Sequence, residues 1–107
     1  MGVYVDPLFR TDPSTRWPWP EASHLVADSL PELHEFAAGV GLQPRWCQYG
    51  GSGVWHYDLT ARKRAAAVAA GAIELETMQF ARKLGELRTV RPRVAVAVQS
   101  TFSEGRT

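Results

Sequence analysis

A second cysteine is missing. Cys47 is the only one in the chain, so no disulfide can close within it, as expected of a protein made in a reducing compartment. Long apolar runs are missing as well: no stretch approaches the roughly 20 residues that a membrane-crossing helix needs. The opening residues, MGVYVDPLF, hold no basic leader followed by an apolar segment, which predicts no secretory signal. A cytoplasmic location without a membrane partner is therefore expected. No internal repeat is evident. Neither sign of charge is in large excess, since the formal net charge is +1, and that separates the chain from strongly basic nucleic-acid binders. Metal-ligand spacings such as His-x-x-x-His or Cys-x-x-Cys are also absent.

What is present fits one small globular domain. At 107 residues, 45% hydrophobic and 21% charged, the chain can fill one modest core and is not of disordered composition. The charge is unevenly placed. Residues 1–60 hold three basic residues, Arg10, Arg16 and Arg45, against seven acids, whereas residues 61–107 hold nine Lys or Arg against four Glu. A basic C-terminal half suits an anionic ligand or a nucleic acid. A set of solvated helix faces would give the same count.

Local signals lay out an order β-β-α-β-α-β-α-β. Val3-Tyr4-Val5 is β-branched and aromatic and stops at Asp6-Pro7. Residues 7–23 carry Pro7, Pro13, Pro18 and Pro20 around Trp17 and Trp19, which excludes a helix and predicts a long loop. A second short strand is expected at 24–27. Ser29 with Glu32 forms a capping box, Pro31 is tolerated in the first turn, and Leu30, Leu33, Phe36, Ala37 and Val40 recur at helical spacing up to Gly41. Residues 44–49 read as extended, parallel to the second strand through a right-handed crossover. After the Gly50-Gly51-Ser52-Gly53 turn, Thr60 caps an alanine-rich helix over 61–70. A strand at 72–75 is expected to be buried through Ile73 and Leu75. A helix follows over 77–88 with Phe80, Ala81, Leu84 and Leu87 on one face, then a last strand at 94–98. The expectation is a small α/β domain over 1–100, with α+β as the variant. It has a mixed sheet of four to five strands, about three helices and a single layer of core, and residues 101–107 form a loose tail.

Candidate chemistry gathers on histidine and aspartate. If the first two strands pair antiparallel, Asp6 lies beside His24 and Asp28 sits at the opposite end. If residues 24–27 are coil, Asp6, Asp28 and the 50–60 loop converge instead at the carboxyl ends of the strands. Asp6, His24, His56 and Asp58 are the candidate catalytic and metal-ligating residues. Imidazole and carboxylate suit a divalent ion, and a metal-bound water attacks phosphoesters. Turn-capping aspartates and structurally bonded histidines are the simpler account of the same residues. Tyr57 and Thr60, with Arg62, Lys63 and Arg64 in the first turn of the second helix, are the candidate ligand or anion site, because basic residues there oppose the helix dipole unless an anion compensates. His34 reads as an edge-of-core histidine, and Cys47 as a small core residue. The tryptophans in loops suit base stacking or, more commonly, a cover over a small core.

The succession Tyr4-Val5-Asp6, His24-Leu25-x-Ala27-Asp28 and Glu32-Leu33-His34-x-Phe36-Ala37 resembles the bacterial and phage proteins grouped as domain of unknown function 4031. The likeness continues through Trp46-x-Gln48, His56-Tyr57-Asp58-Leu59, Lys63-Arg64 and Gly71-Ala72, covering about residues 3–76. The Trp-Pro-Trp-Pro stretch, the glycine-rich 50–53 segment and the end beyond residue 90 depart from it. The resemblance implies a small cytoplasmic or phage-encoded domain and supplies no activity. From the residues themselves, the expected function is ligand or divalent-metal binding at the His/Asp site, with phosphoester hydrolysis as its chemistry. The alternative is a non-catalytic accessory module that binds nucleic acid or a protein through the basic half.

Overall fold

A computed structural model of the chain describes residues 2–12, 17–50 and 53–88. The strand expected at 94–98 and the tail at 101–107 lie outside the described residues. Five strands form one mixed sheet: β1 (Val3–Val5), β2 (Phe9–Arg10), β3 (Glu21–Ala27), β4 (Tyr57–Leu59) and β5 (Ile73–Glu74). Among the described residues three α-helices complete this small α/β fold: α1 (Leu30–Gly39), α2 (Ala61–Ala69) and α3, residues 77–88. Among the described residues no helix is long and apolar enough to cross a membrane.

β3 is the axis of the sheet. β1 pairs with it antiparallel, Val5 opposite Leu25, and β4 pairs antiparallel on the other edge, with Tyr57 opposite the same Leu25. β5 extends the sheet beyond β1 in parallel, Tyr4 opposite Ile73. The antiparallel layout of the first two long strands is thus the one realised, with Asp6 beside His24 and Asp28 at the far end.

Strand alternation sorts side chains onto two faces. One face carries Val3, Val5, Leu25, Ala27, Tyr57 and Leu59 against Leu33 and Ala37 of α1 and Ala67 of α2. The opposite face carries Tyr4 and Val26 against Phe80, Leu84 and Leu87 of α3, with Val54 alongside. The core is therefore two clusters separated by the sheet, rather than the single layer expected. The helix signals hold: Ser29 Oγ accepts from the Glu32 amide at 3.3 Å, and Thr60 Oγ1 accepts from the Lys63 amide at 3.1 Å. α1 closes through Gly41 at φ +85°, which lets the Leu42 amide reach back to the Ala37 carbonyl at 2.9 Å,.

Four expectations are corrected. Residues 44–46 form a single 3-10 turn instead of the start of a strand. Pro44 brings no amide for a sheet ladder, and its carbonyl instead accepts from the Cys47 amide at 3.1 Å,. Gln48 alone then pairs, antiparallel with His56, so the expected parallel crossover to this segment does not exist; the parallel pair is β1–β5. Ile73 is 47% exposed instead of buried, since among the described residues β5 pairs only with β1 and contributes two residues. Residues 7–23 are not all loop, since they contain β2 and the start of β3.

Between Val5↔Leu25 and Phe9↔Ala22, one side of the ladder has three residues, 6–8, and the other has two, Ser23 and His24. This is a β-bulge. Pro7 lies in it, where its missing amide breaks no ladder bond. The Asp6 side chain replaces the lost pairing: Oδ1 accepts from the His24 amide at 2.6 Å and from Ser23 Oγ at 2.8 Å. Ser23 is fully buried, and its hydroxyl also lies 2.9 Å from the Asp6 carbonyl. Ser23→Ala is expected to destabilise the fold by about 1–3 kcal/mol in urea denaturation, the range for stranding a buried polar partner. A loss under about 0.5 kcal/mol would mean that the bulge does not depend on this hydroxyl.

Candidate functional site

The period-two pattern of β4 builds the site. Tyr57 and Leu59 enter the core, so Asp58 and its neighbour His56 point to the α3 face. His24 stands directly opposite Asp58 in the β3–β4 register, which puts two imidazoles and a carboxylate side by side. A cleft of about 320 Å³ opens there, lined by His24, Val26, Gln48, His56, Asp58 and, from α3, Phe80 and Leu84, with Gly50 at its edge.

Each imidazole is held by its Nδ1. His24 Nδ1 lies 2.8 Å from Asp6 Oδ2, and His56 Nδ1 lies 2.9 Å from the Val54 carbonyl. A carbonyl only accepts, and an ionised carboxylate only accepts, so Nδ1 carries a proton in both rings. In their neutral forms both rings then present an Nε2 lone pair to the cleft. His24 Nε2 is 3.8 Å and His56 Nε2 3.5 Å from the same oxygen, Asp58 Oδ1. The other Asp58 oxygen accepts from Gln48 Nε2 at 2.8 Å. Three acceptors therefore face one another with no donor between them. They remain spread apart: among the described residues no three His, Cys, Asp or Glu side chains already stand in the arrangement of a metal centre.

Backbone geometry fixes His56 further. Gln48 and His56 exchange both amide-to-carbonyl bonds at 2.8 Å. Gly50, at φ +41°, packs against the ring so closely that a Cβ would lie 2.9 Å from His56 Cε1,. His24 is flanked by near-parallel aromatic rings, Phe9 at 5.2 Å and Phe80 at 6.3 Å between centroids.

The remaining sequence candidates lie elsewhere. Asp6 sits behind His24 and does not line the cleft. Tyr57 is buried in the core, its hydroxyl 2.7 Å from His34 Nδ1. Thr60 caps α2. Lys63 Nζ donates to the Val40 carbonyl at 2.8 Å, and Arg64 donates through Nε to the Asp6 carbonyl at 2.8 Å and pairs with Glu74 at 3.1 Å. Arg62 is left as the exposed cation of the three. Asp28 accepts from the Tyr4 hydroxyl at the far end of the sheet. Sequence reasoning passed over Gln48, Gly50, Ser23 and Phe9 as parts of the site. A signal for Gln48 existed: it and His56 stand symmetrically about Ser52 in the glycine turn, the mark of a hairpin.

With this geometry in view, comparison with known proteins gives one match. A family model, described as a protein of unknown function (DUF4031), matches residues 3–87. The chain belongs to the DUF4031 family. The match extends past residue 76 and so takes in nearly all of α3, the helix that walls the cleft. Among curated proteins and among solved structures, none matches the chain.

The Asp6–His24 pair responds to pH. Burial alone would raise the Asp6 pKa, but hydrogen bonds from the His24 ring, the His24 amide and Ser23 outweigh it and hold the group below its ordinary value,. The His24 pKa is raised, chiefly by the hydrogen bond to Asp6, against burial and with the Asp6 and Asp58 charges adding to it. A raised histidine pKa stabilises the fold fully below the unfolded value, about 6.5, and that contribution is lost as pH rises through the folded value. A lowered aspartate pKa stabilises above the unfolded value, and that is lost as pH falls through the folded one. Asp6→Asn is therefore expected to cost more stability at pH 5.5 than at pH 8.5, measured by denaturation in a chelating buffer. Equal costs at both pH values would refute the ion pair.

Proposed function

We propose that this domain binds a divalent cation between His24 Nε2, His56 Nε2 and the Asp58 carboxylate, and that its chemistry is hydrolysis of a small ester, with phosphoesters as the substrate class. The observation that carries the reading is the convergence of two imidazole lone pairs on one carboxylate oxygen, at 3.5 and 3.8 Å. Those separations are too long for good hydrogen bonds. They lie close to the roughly 3.4 Å between neighbouring ligands of a tetrahedral ion held at about 2.1 Å. Binding draws the three side chains together from positions that do not yet form a metal centre. The second shell fits as well: a ligating histidine donates its other N–H to a carboxylate or a backbone carbonyl, the partners that Asp6 and Val54 provide here,. Asp6 thus orients His24 rather than ligating. Gln48 engages Asp58 Oδ2 and leaves Oδ1 toward the ion. An ion so held polarises a substrate oxygen or lowers the pKa of a bound water.

A second reading replaces the ion with a proton. The raised pKa of His24 favours it: an imidazolium there, oriented by Asp6, would act as a general acid and base,. The accessory-module alternative draws less support, since Lys63 and Arg64 are engaged within the fold.

Titration calorimetry of chelator-stripped protein with Zn²⁺, Mn²⁺ and Mg²⁺ separates the readings. Binding of at least one ion is expected, lost in His56→Ala and Asp58→Ala and weakened about 10–100-fold in Asp6→Asn, the usual effect of removing a second-shell partner. If no ion binds, the metal reading falls. Ester hydrolysis that persists in chelator and disappears in His24→Gln would then establish the proton reading.

A further inference from the structure

Two imidazoles face the cleft, and each is held in two ways. An acceptor fixes the ring at Nδ1: Asp6 for His24 at 2.8 Å, and the Val54 carbonyl for His56 at 2.9 Å. One such hydrogen bond does not fix the plane of a ring, because an sp² oxygen accepts over a broad range of directions. A surface against the ring face is needed as well. His56 has Gly50, whose Cβ position would lie 2.9 Å from the ring. His24 has two such surfaces: Phe9, with centroids 5.2 Å and planes 27° apart, and Phe80, at 6.3 Å and 22°. Both separations are those of stacked aromatic pairs. The remaining edge of His24 carries Nε2, 3.8 Å from Asp58 Oδ1.

The two flanking rings have different reasons to be there. Phe80 is buried and belongs to the core cluster under α3. Phe9 is 41% exposed, and among the described residues neither buried cluster includes it. What it covers is His24. The bulge sets the face of the sheet on which it does so. Val5 pairs with Leu25, so an unbroken ladder would put residue 9 opposite Glu21, on the face of Ser23 and Leu25,. The extra residue puts Phe9 opposite Ala22 instead, on the face of His24 and two residues along β3 from it,.

We infer that Phe9 is a positioning residue for His24: it closes one face of the imidazole, with Phe80 on the other, and keeps Nε2 aimed into the cleft. The bulge that lets Asp6 reach His24 Nδ1 also turns Phe9 onto the ring. This orientation requires neither an ion nor a proton at Nε2. Its use rests on the reading of His24 as the group that binds the one or carries the other.

The test is NMR of the full chain with ¹³C-labelled histidine, in chelating buffer at pH 8.5. The order parameter of the His24 Cε1–H bond is expected near about 0.85 in the unaltered protein and at about 0.6 or below in Phe9→Leu, which is apolar but has no flat face. Phe9→Tyr is expected to restore it. His56 and His34 report on the rest of the fold, and their values are expected to stay unchanged in both variants. Overhauser contacts between the Phe9 and His24 ring protons test the stack without any substitution. A His24 ring as ordered in Phe9→Leu as in the unaltered protein overturns the inference. So does a loss of order shared equally by His56 and His34, or the absence of the Overhauser contacts. Ion titration of the unaltered protein is judged separately. If no ion binds but His24 alone loosens in Phe9→Leu, the cation reading falls and the role of Phe9 stands. If an ion binds and His24 is indifferent to Phe9→Leu, the cation reading stands and the role of Phe9 falls.

Discussion

The Asp6 carboxylate is the group on which fold and site both depend. A buried carboxylate is costly unless hydrogen bonds replace its water. Here Oδ1 takes the His24 amide and the Ser23 hydroxyl, and Oδ2 takes the His24 ring. The backbone carbonyl of the same residue takes Arg64 Nε from α2. One residue thus repairs the ladder where β1 gives way to β2, anchors a helix on one face of the sheet, and sets the tautomer of a histidine on the other. The bulge is what permits this. It adds one residue to the β1–β2 side, at the point where Asp6 can turn toward β3,.

The parts of this arrangement that follow local rules were legible from the residues. The caps at Ser29 and Thr60 and the helical spacing of Leu33 and Ala37 rest on near-neighbour chemistry, whereas Asp6 beside His24 belonged to one of two layouts that the residues allowed, the antiparallel one. The parts that failed depend on long-range partners. Residues 44–49 have strand-like composition, but a strand needs a ladder, and Pro44 with a turn-forming carbonyl leaves only Gln48 to pair,. Ile73 is apolar yet exposed: among the described residues its strand has one neighbour, β1, which a two-residue strand does not reveal. Tyr57 stands between His56 and Asp58 in the chain, and with Thr60 and the basic first turn of α2 it reads as a candidate ligand or anion residue. Alternation sends it to the opposite face, where its hydroxyl meets His34,.

The basic half of the chain takes on a different meaning once placed. Opposition between Arg62, Lys63, Arg64 and the α2 dipole pointed toward an anion at the helix start. Two of the three instead reach carbonyl oxygens, Val40 for Lys63 and Asp6 for Arg64, and Arg64 also meets Glu74. Their positive charge faces partial negative charges inside the fold, and that removes the need for an external anion at those two positions. Among the described residues no lysine or arginine lines the cleft. Its polar end is carboxylate and imidazole, an environment that favours a cation or a proton over an anion.

The two faces of the sheet are unequal, and that inequality locates the site. α1 and α2 cover one face with a cluster built on Val5, Leu25, Leu33 and Leu59, all nearly or wholly excluded from solvent. α3 covers the other with Val26, Val54, Phe80 and Leu87, a smaller set. Lys83 Nζ adds a polar contact to the sheet, 4.6 Å above the Tyr4 ring and 3.8 Å from Asp28, and such partly exposed pairs contribute little each. The apolar contacts of Phe80 and Leu87 therefore hold the helix in place, and Phe80 is also a wall of the cleft. Among the described residues the α3 face carries the smaller apolar cluster. Its lighter covering leaves room for His24 and Asp58 to point outward from β3 and β4 without displacing core, and a small domain has little spare apolar surface with which to close such a gap.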